Sequence, residues 1–272
     1  MSSDINFERR PRVMGILNMT PDSFSDGGRF NQAQVAVERV RQMIQEGADI
    51  IDIGGESTRP GAPAISEEEE LARVIPVIEA IRHDSAIPIS VDTSKPAVMH
   101  AAVAAGASLI NDVRALQEPG ALDMAAQLGV PICLMHMQGQ PRTMQANPHY
   151  DDVVEEVLAF LQQRIELCQA AGIAPARLII DPGFGFGKTV QHNLALFRYL
   201  PRFVKTGYPV LVGVSRKSMI GKLLGERPVD ERLAGSLALA TLAGWLGAAI
   251  VRVHDVRESV DALTLCRAVR HA

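Results

Sequence analysis

The side chains of this chain that could do chemistry recur in one position, at the end of a short apolar run. Asn18 follows Val13-Met14-Gly15-Ile16-Leu17, and Asp92 follows Ile87-Pro88-Ile89-Ser90-Val91. Leu109-Ile110 closes on Asn111 and Asp112, Ile132-Cys133-Leu134-Met135 on His136, and Leu178-Ile179-Ile180 on Asp181. Val210-Leu211-Val212-Gly213-Val214 reaches Ser215, Arg216 and Lys217, and Ile250-Val251-Arg252-Val253 reaches His254. The run Ile50-Ile51-Asp52-Ile53 leads on to Glu56, Thr58 and Arg59. In such a set carboxylates accept from N–H donors, amides both donate and accept, and cations hold anions. Arg252 and His254 alternate along an extended run and so point to the same side.

The familiar covalent and nucleotide-cradling motifs are missing. Gly183-Phe184-Gly185-Phe186-Gly187-Lys188-Thr189 resembles a phosphate-binding loop, but the required spacing puts Pro182 where glycine is needed. A dinucleotide fingerprint fails because Lys188 follows Gly183 and Gly185. A nucleophile elbow at Ser215 would need glycine at Lys217, and no H-E-x-x-H occurs. Asn18-Met19-Thr20 is a formal glycosylation sequon that means little without a secretory signal.

The elements that must position these residues follow from the runs themselves. Near-continuous β-branched runs read as strands buried on both faces of a parallel sheet. Eight of them alternating with helical segments predict an α/β fold, a single (β/α)8 TIM barrel, whose chemistry collects at the C-terminal strand ends. Gln32 to Glu46 carries Ala36, Val40, Met43 and Ile44 at helical spacing and stops at Gly47. Ser66 and Glu69 form a capping-box pair, so Glu67 to Glu70 reads as a solvated first turn rather than a metal site. Asp151–Ala170 and Asp230–Ala243 are the other clear helices. A phrase recurs at Gly47-Ala48, Gly106-Ala107 and Gly247-Ala248: a glycine ends a helix and feeds a strand, and five residues later stand Asp52, Asn111 and Arg252. It reads as a repeated αβ turn rather than a repeat array. With no linker or composition shift, residues 1–272 form one domain, 1–11 being a short N-terminal tail.

Composition bounds the remaining possibilities. The 272 residues suit one barrel, and 47% hydrophobic with 21% charged residues is the balance of a soluble globular chain. A net charge of -4 argues against nucleic-acid binding and requires any anionic ligand to be held by local cations. Cys133, Cys168 and Cys266 lack metal spacing and read as buried, inert thiols in a reducing compartment. Met1 to Pro11 has no apolar h-region, so no signal peptide is evident and a cytoplasmic location is expected. Leu233 to Val251 is long and uncharged enough to suggest a membrane span, but its alanines and Gly235, Gly244 and Gly247 predict a buried helix, a glycine turn and a strand. Leu233 to Ala243 is apolar nearly all round, which predicts a homodimer through its outer face.

Two polar, turn-forming loops, Asn18–Gly28 and Asp52–Ala62, should cover the strand ends as mobile loops, the second adding Arg59. Composition alone would leave them as solvated loops, but their wording resembles that of the dihydropteroate synthase family of pterin-binding barrels. Val91-Asp92-Thr93, Ile110-Asn111-Asp112-Val113, Met135-His136-Met137-Gln138-Gly139, Asp181 to Lys188, Ser215-Arg216-Lys217 and Arg252-Val253-His254 are similar to that family too. The resemblance runs from about Arg12 to the C-terminal helix, with no departure at the family's main site positions.

The resemblance implies roles residue by residue. Asp92, Asn111, Asp181 and Lys217 would line a deep pterin slot, with Met135 packed against the ring. An amino-pyrimidinone edge has donors for carboxylates and acceptors for Asn and Lys; the alternative for Asp92 and Asp181 is capping the following helix. Arg252 and His254 would bind the diphosphate of the pterin substrate, Asn18 its Mg²⁺, and Thr58 would also contact it. Phe24, Pro60, Phe186 and Ser215 would form the p-aminobenzoate site, core packing competing for both Phe residues, while Arg59 and Asp26 would help close the loops. The implied reaction joins 6-hydroxymethyl-7,8-dihydropterin diphosphate to p-aminobenzoate, and sulfonamides are the implied inhibitors. His136 receives no role. Two alternatives stay open: the pterin-binding barrel of corrinoid methyltransferases, with no use for Arg252 and His254 as diphosphate ligands, and a non-catalytic pterin-binding paralogue, expected to lose Asn18, Arg59 or Lys217.

Overall fold

A computed structural model describes residues 10–19, 29–57, 61–140 and 143–272, with backbone alone for 29–33. Five of the residues assigned roles above (Phe24, Asp26, Thr58, Arg59 and Pro60) lie outside the described residues. The strands are β1 (Arg12–Asn18), β2 (Ile50–Gly54), β3 (Ile89–Asp92), β4 (Leu109–Asp112), β5 (Ile132–Met135), β6 (Leu178–Asp181), β7 (Leu211–Val212) and β8 (Ile250–Val253). All pair in parallel in the order β6-β5-β4-β3-β2-β1-β8-β7, and a parallel bridge between Ile180 and Val210 joins the two outer strands. The expected (β/α)8 TIM barrel is thus observed, each strand being followed by helix.

The helices are α1 (Arg29–Gln45), α2 (Glu67–Asp84), α3 (Pro96–Ala104), α4 (Ala121–Leu128), α5 (Val153–Ala170), α6 (Val190–Arg198), α7 (Leu200–Val204), α8 (Ser218–Leu223), α9 (Leu233–Trp245) and α10 (Val256–Arg270). The uncharged stretch from Leu233 divides into α9, a glycine turn and β8, as its glycines predict. Among the described residues no helix is long and apolar enough to cross a membrane.

The recurring glycine phrase has one geometry at all three sites. Gly47, Gly106 and Gly247 take φ of +96°, +116° and +101°, which strains any residue with a Cβ. Their N–H groups donate to Ile44, Val103 and Gly244, and those of the following alanines to Met43, Ala102 and Ala243. This paired pattern ends a helix and turns the chain straight into the next strand.

One expectation fails in α2. Ser66 caps the helix by accepting from Glu69 N, and Glu67 to Glu69 are exposed, but Glu70 is buried and ion-paired with Lys95. The acidic run is therefore not uniformly solvated: a helical turn of four carboxylates cannot face water throughout, and the last one turns in to Lys95 in the loop after β3. Lys95 also reaches Glu56 at 2.5 Å, while Arg73 donates to Gly55 O at 2.8 Å. The stem of the second loop is thereby tied to α2 and to the loop after β3.

Two sets of buried apolar residues separate across the sheet. Ile51, Ile53, Ile89, Val91, Ile110, Leu134 and Val251 pack outward with the helices. Met14, Ile50, Leu109, Cys133, Ile179, Leu211 and Ile250 form a second, smaller cluster inside the barrel. Side chains in such barrels fill in layers taken from alternate strands. Ile50, Leu109, Ile179 and Ile250 are one such layer, from β2, β4, β6 and β8.

Candidate active site

Two residues beyond that layer, the same four strands carry Asp52, Asn111, Asp181 and Arg252. Strand parity keeps these side chains inward, so the apolar filling gives way to a polar floor at the C-terminal mouth. Equal spacing from the three helix-ending glycines sets Asp52, Asn111 and Arg252 at one height, and they bond directly. Arg252 Nε donates to Asp52 Oδ2 at 2.6 Å, and Asn111 Nδ2 donates to the same oxygen at 3.3 Å. Arg252 Nη2 donates to Asp92 Oδ2 at 3.0 Å. Asp52 is fully buried, and its Oδ1 has no hydrogen-bond partner.

The charges perturb one another strongly. Burial, then the negative charge of Asp52, pushes the Asp92 pKa up to about 7, against the pull of Arg252. Burial alone would lower the Arg252 pKa, but Asp52 and Asp92 outweigh it and hold it up. Burial raises the pKa of Asp181, which accepts from Gly183 N at 2.7 Å and is eased by Lys217 and Lys188. Burial lowers the Lys217 pKa to about 8, opposed by Asp181. Neither strand-end carboxylate caps a helix: Lys95 stands at the N-cap of α3 without a side-chain bond, and Thr189 caps α6.

The rim is built from the loops. Lys217 Nζ donates to Phe184 O and lies 4.2 Å from the centre of the Phe186 ring. Phe184 is buried against Phe197, whereas Phe186 is half-buried at the rim. Ser215 Oγ and His254 Nδ1 are 3.0 Å apart, and His254 N donates to the same hydroxyl at 3.2 Å. Arg216, with φ +58°, turns away and pairs with Asp255, which fastens the loop after β7 to the end of β8. Met135 is buried at the end of β5, in register with Asp181. Asn18 ends β1, half-buried and in register with Gly54.

The chemistry of this donor set bears on magnesium. Asn18 offers one neutral oxygen, and among the described residues no group of three or more His, Cys, Asp or Glu could hold a metal. A hard cation with few protein ligands keeps waters and takes substrate phosphates. Asn18 fits an ion that enters with a diphosphate.

Sequence reasoning passed over three groups. Asp52 was read as part of a strand, although a carboxylate inside an apolar run signals a buried partner. His136 received no role, yet its Nδ1 lies 2.9 Å from the buried Lys188 Nζ. Glu70 and Lys95 were hidden in an acidic run and a loop.

The model of the pterin binding enzyme family matches residues 14–254. A dihydropteroate synthase of Haemophilus influenzae is 57% identical over 262 residues, spanning 96% of this chain and 95% of the relative. The crystal structure of the Yersinia pestis dihydropteroate synthase with a sulfonamide drug superposes with a TM-score of 0.93 at 54% identity, covering 98% of this chain and 96% of that one. The Xanthomonas albilineans dihydropteroate synthase with 4-aminobenzoic acid gives 0.92 at 56% identity, with 98% and 95% covered.

Proposed function

We propose a reaction from one premise: this chain belongs to the pterin-binding enzyme family, as a member of its dihydropteroate synthases. It is a transferase of folate biosynthesis, condensing 6-hydroxymethyl-7,8-dihydropterin diphosphate with p-aminobenzoate to 7,8-dihydropteroate and diphosphate. The observation that carries the assignment to this pocket is the polar floor of Asp52, Asn111, Asp181 and Arg252, flanked by Asp92 and Lys217. The Asp92 and Asp181 carboxylates, the Asn111 amide and Lys217 match the alternating donors and acceptors of an amino-pyrimidinone edge.

In this reading Asp92, Asn111, Asp181 and Lys217 hold the pterin, and Met135 packs against it. Arg252 and His254 stabilise the charge that develops on the departing diphosphate, which is electrostatic catalysis. Arg252 starts from its bonds to Asp52 and Asp92 and must share its remaining donors with the anion. Asn18 would take one position on a magnesium ion brought by the diphosphate, and Thr58 would contact the same substrate. Bound there, the ion would neutralise part of the leaving group's charge. Ser215, Phe186, Phe24 and Pro60 receive the arylamine, and Asp26 and Arg59 help the two loops exclude water.

No nucleophilic side chain is needed. The C–O bond to diphosphate breaks, the pterin ring delocalises the charge on the methylene carbon, and the arylamine nitrogen attacks and loses its proton to the departed diphosphate or water, an SN1-like route. Scrambling of bridging oxygen in the pterin diphosphate without p-aminobenzoate is expected, and strictly concerted kinetics without exchange would remove that route. The cytoplasmic location belongs to the same proposal, in keeping with three free, buried cysteines. So does a homodimer through α9, whose Leu242 and Trp245 are exposed beside α10.

The test is turnover of the two substrates with Mg²⁺ and its inhibition by a sulfonamide. Pterin binding without turnover would instead indicate a non-catalytic paralogue, and methyl transfer the corrinoid-linked barrel.

A further inference from the structure

The Asp181–Lys188 segment holds a buried lysine that the reaction does not use. Lys188 Nζ lies 2.9 Å from His136 Nδ1, 2.9 Å from Gly183 O and 3.0 Å from Phe186 O. A longer contact of 3.4 Å reaches His136 O, so four acceptors enclose the nitrogen, and burial pushes its pKa well down against the pull of Asp181. Lys188 is 3% exposed and His136 6%, so no bulk water replaces a lost partner. Burial, then the Lys188 charge, drives the His136 pKa down to about 2, so the ring is neutral and Nδ1 pairs with Lys188 Nζ.

The two carbonyls bound by Lys188 bracket Phe184, whose own carbonyl receives Lys217. We propose that Lys188 is a positioning residue: seated on His136, it locks the loop after β6 so that Phe186 is presented at the amine side of the site, against Lys217 of the pterin slot. This rests on the reaction proposed above.

The rest of the loop is built for the same fixed path. A Cβ on Gly183 would lie 1.8 Å from His136 O, and one on Gly187 would lie 2.5 Å from Gln138 O, so the loop backbone rests directly on the end of β5. Tyr150 Oη donates to Gly187 O at 2.9 Å, and Gly185 N donates to Asn193 Oδ1 at 2.7 Å. Asp181 differs from its neighbours in the loop, because the ladder to Met135 holds it in place. Phe186 lies five residues beyond Asp181 and outside any strand. Releasing Lys188 therefore moves the amine side more than the pterin side.

Lys188→Met removes the Nζ donors at nearly constant length. Its KM for p-aminobenzoate should rise about tenfold, the weight of roughly one lost buried hydrogen bond. Pterin affinity by calorimetry should stay within about threefold, since Asp92, Asn111 and Asp181 are held by strands and only Lys217 touches the loop. His136→Asn, which keeps an acceptor near Nδ1, should retain most of the p-aminobenzoate KM, and His136→Leu should lose it. An unchanged KM in Lys188→Met overturns the inference, and so does an equal fall of both affinities, the mark of a purely structural role. If Lys188→Met does not fold, equal KM values in the two His136 variants overturn it. A wild-type protein inactive with both substrates removes the reaction itself, and this inference with it; an active wild type with an unaffected variant removes the inference alone.

Discussion

Replacing Asp52 by Asn probes the electrostatics of the polar floor without touching a residue that faces the pterin edge in the proposed reading. Burial and the Asp52 charge both disfavour the Asp92 carboxylate and push its pKa up to about 7, against the pull of Arg252. Two like charges on the order of 6 Å apart at an effective dielectric of ~20 repel by about 3 kcal/mol, roughly two pKa units. The substitution also frees Arg252, which Asp52 holds at 2.6 Å, to turn more fully on Asp92. Both effects favour the carboxylate, so the Asp92 pKa should fall by about one to two units in Asp52→Asn. The sign at the ligand follows: pterin N–H groups need an ionised acceptor, so affinity is full above the pKa and drops about tenfold for each pH unit below it. Calorimetric titration of a non-reacting pterin from pH 5 to 8.5 reads this directly. The wild type should lose affinity below about pH 7, as the Asp92 value requires. The variant should hold it into more acid solution. A midpoint that stays put or moves up in Asp52→Asn would refute the coupling between Asp52 and Asp92.

Three further outcomes are expected. Asp181→Ala should weaken pterin binding by roughly 1–3 kcal/mol, the cost of leaving a buried partner unmatched; unchanged calorimetric affinity would remove Asp181 from the slot. Gly183→Ala combines φ of +70° with a Cβ 1.8 Å from His136 O, so the melting temperature should fall with about 2–4 kcal/mol of stability. Light scattering at micromolar concentration should give twice the 29.4 kDa chain mass, and a monomeric mass would sink the homodimer.

Much of the barrel was legible because its signals are local. A β-branched run bounded by a helix is a strand in almost any context, and the glycine that ends a helix announces itself by type. The phrase around Gly47, Gly106 and Gly247 is such a signal, and all three glycines adopt the same turn. The polar strand endings were equally visible, and so was the division of Leu233–Val251 into helix, turn and strand. Wording specific to a family then supplied roles that residue types alone leave open.

Only the tertiary structure decided which polar residues meet. Asp52 and Arg252 are 200 residues apart, and their bond exists because the sheet brings β2 and β8 to one side of β1 and the other and closes. Parity then turns both inward at the same height. Glu70 illustrates the converse: four consecutive glutamates read alike in sequence, but helix geometry gives the last a different direction and a half-buried lysine partner. His136 had no partner within reach of any local pattern, since Lys188 arrives from the next strand's loop, 52 residues on. The sequence by itself determined the elements, their order and the chemical types at each strand end. Burial and pairing, which fix the charge state of Asp92 and seat Lys188, depend on distances across the barrel that exist only once it has closed.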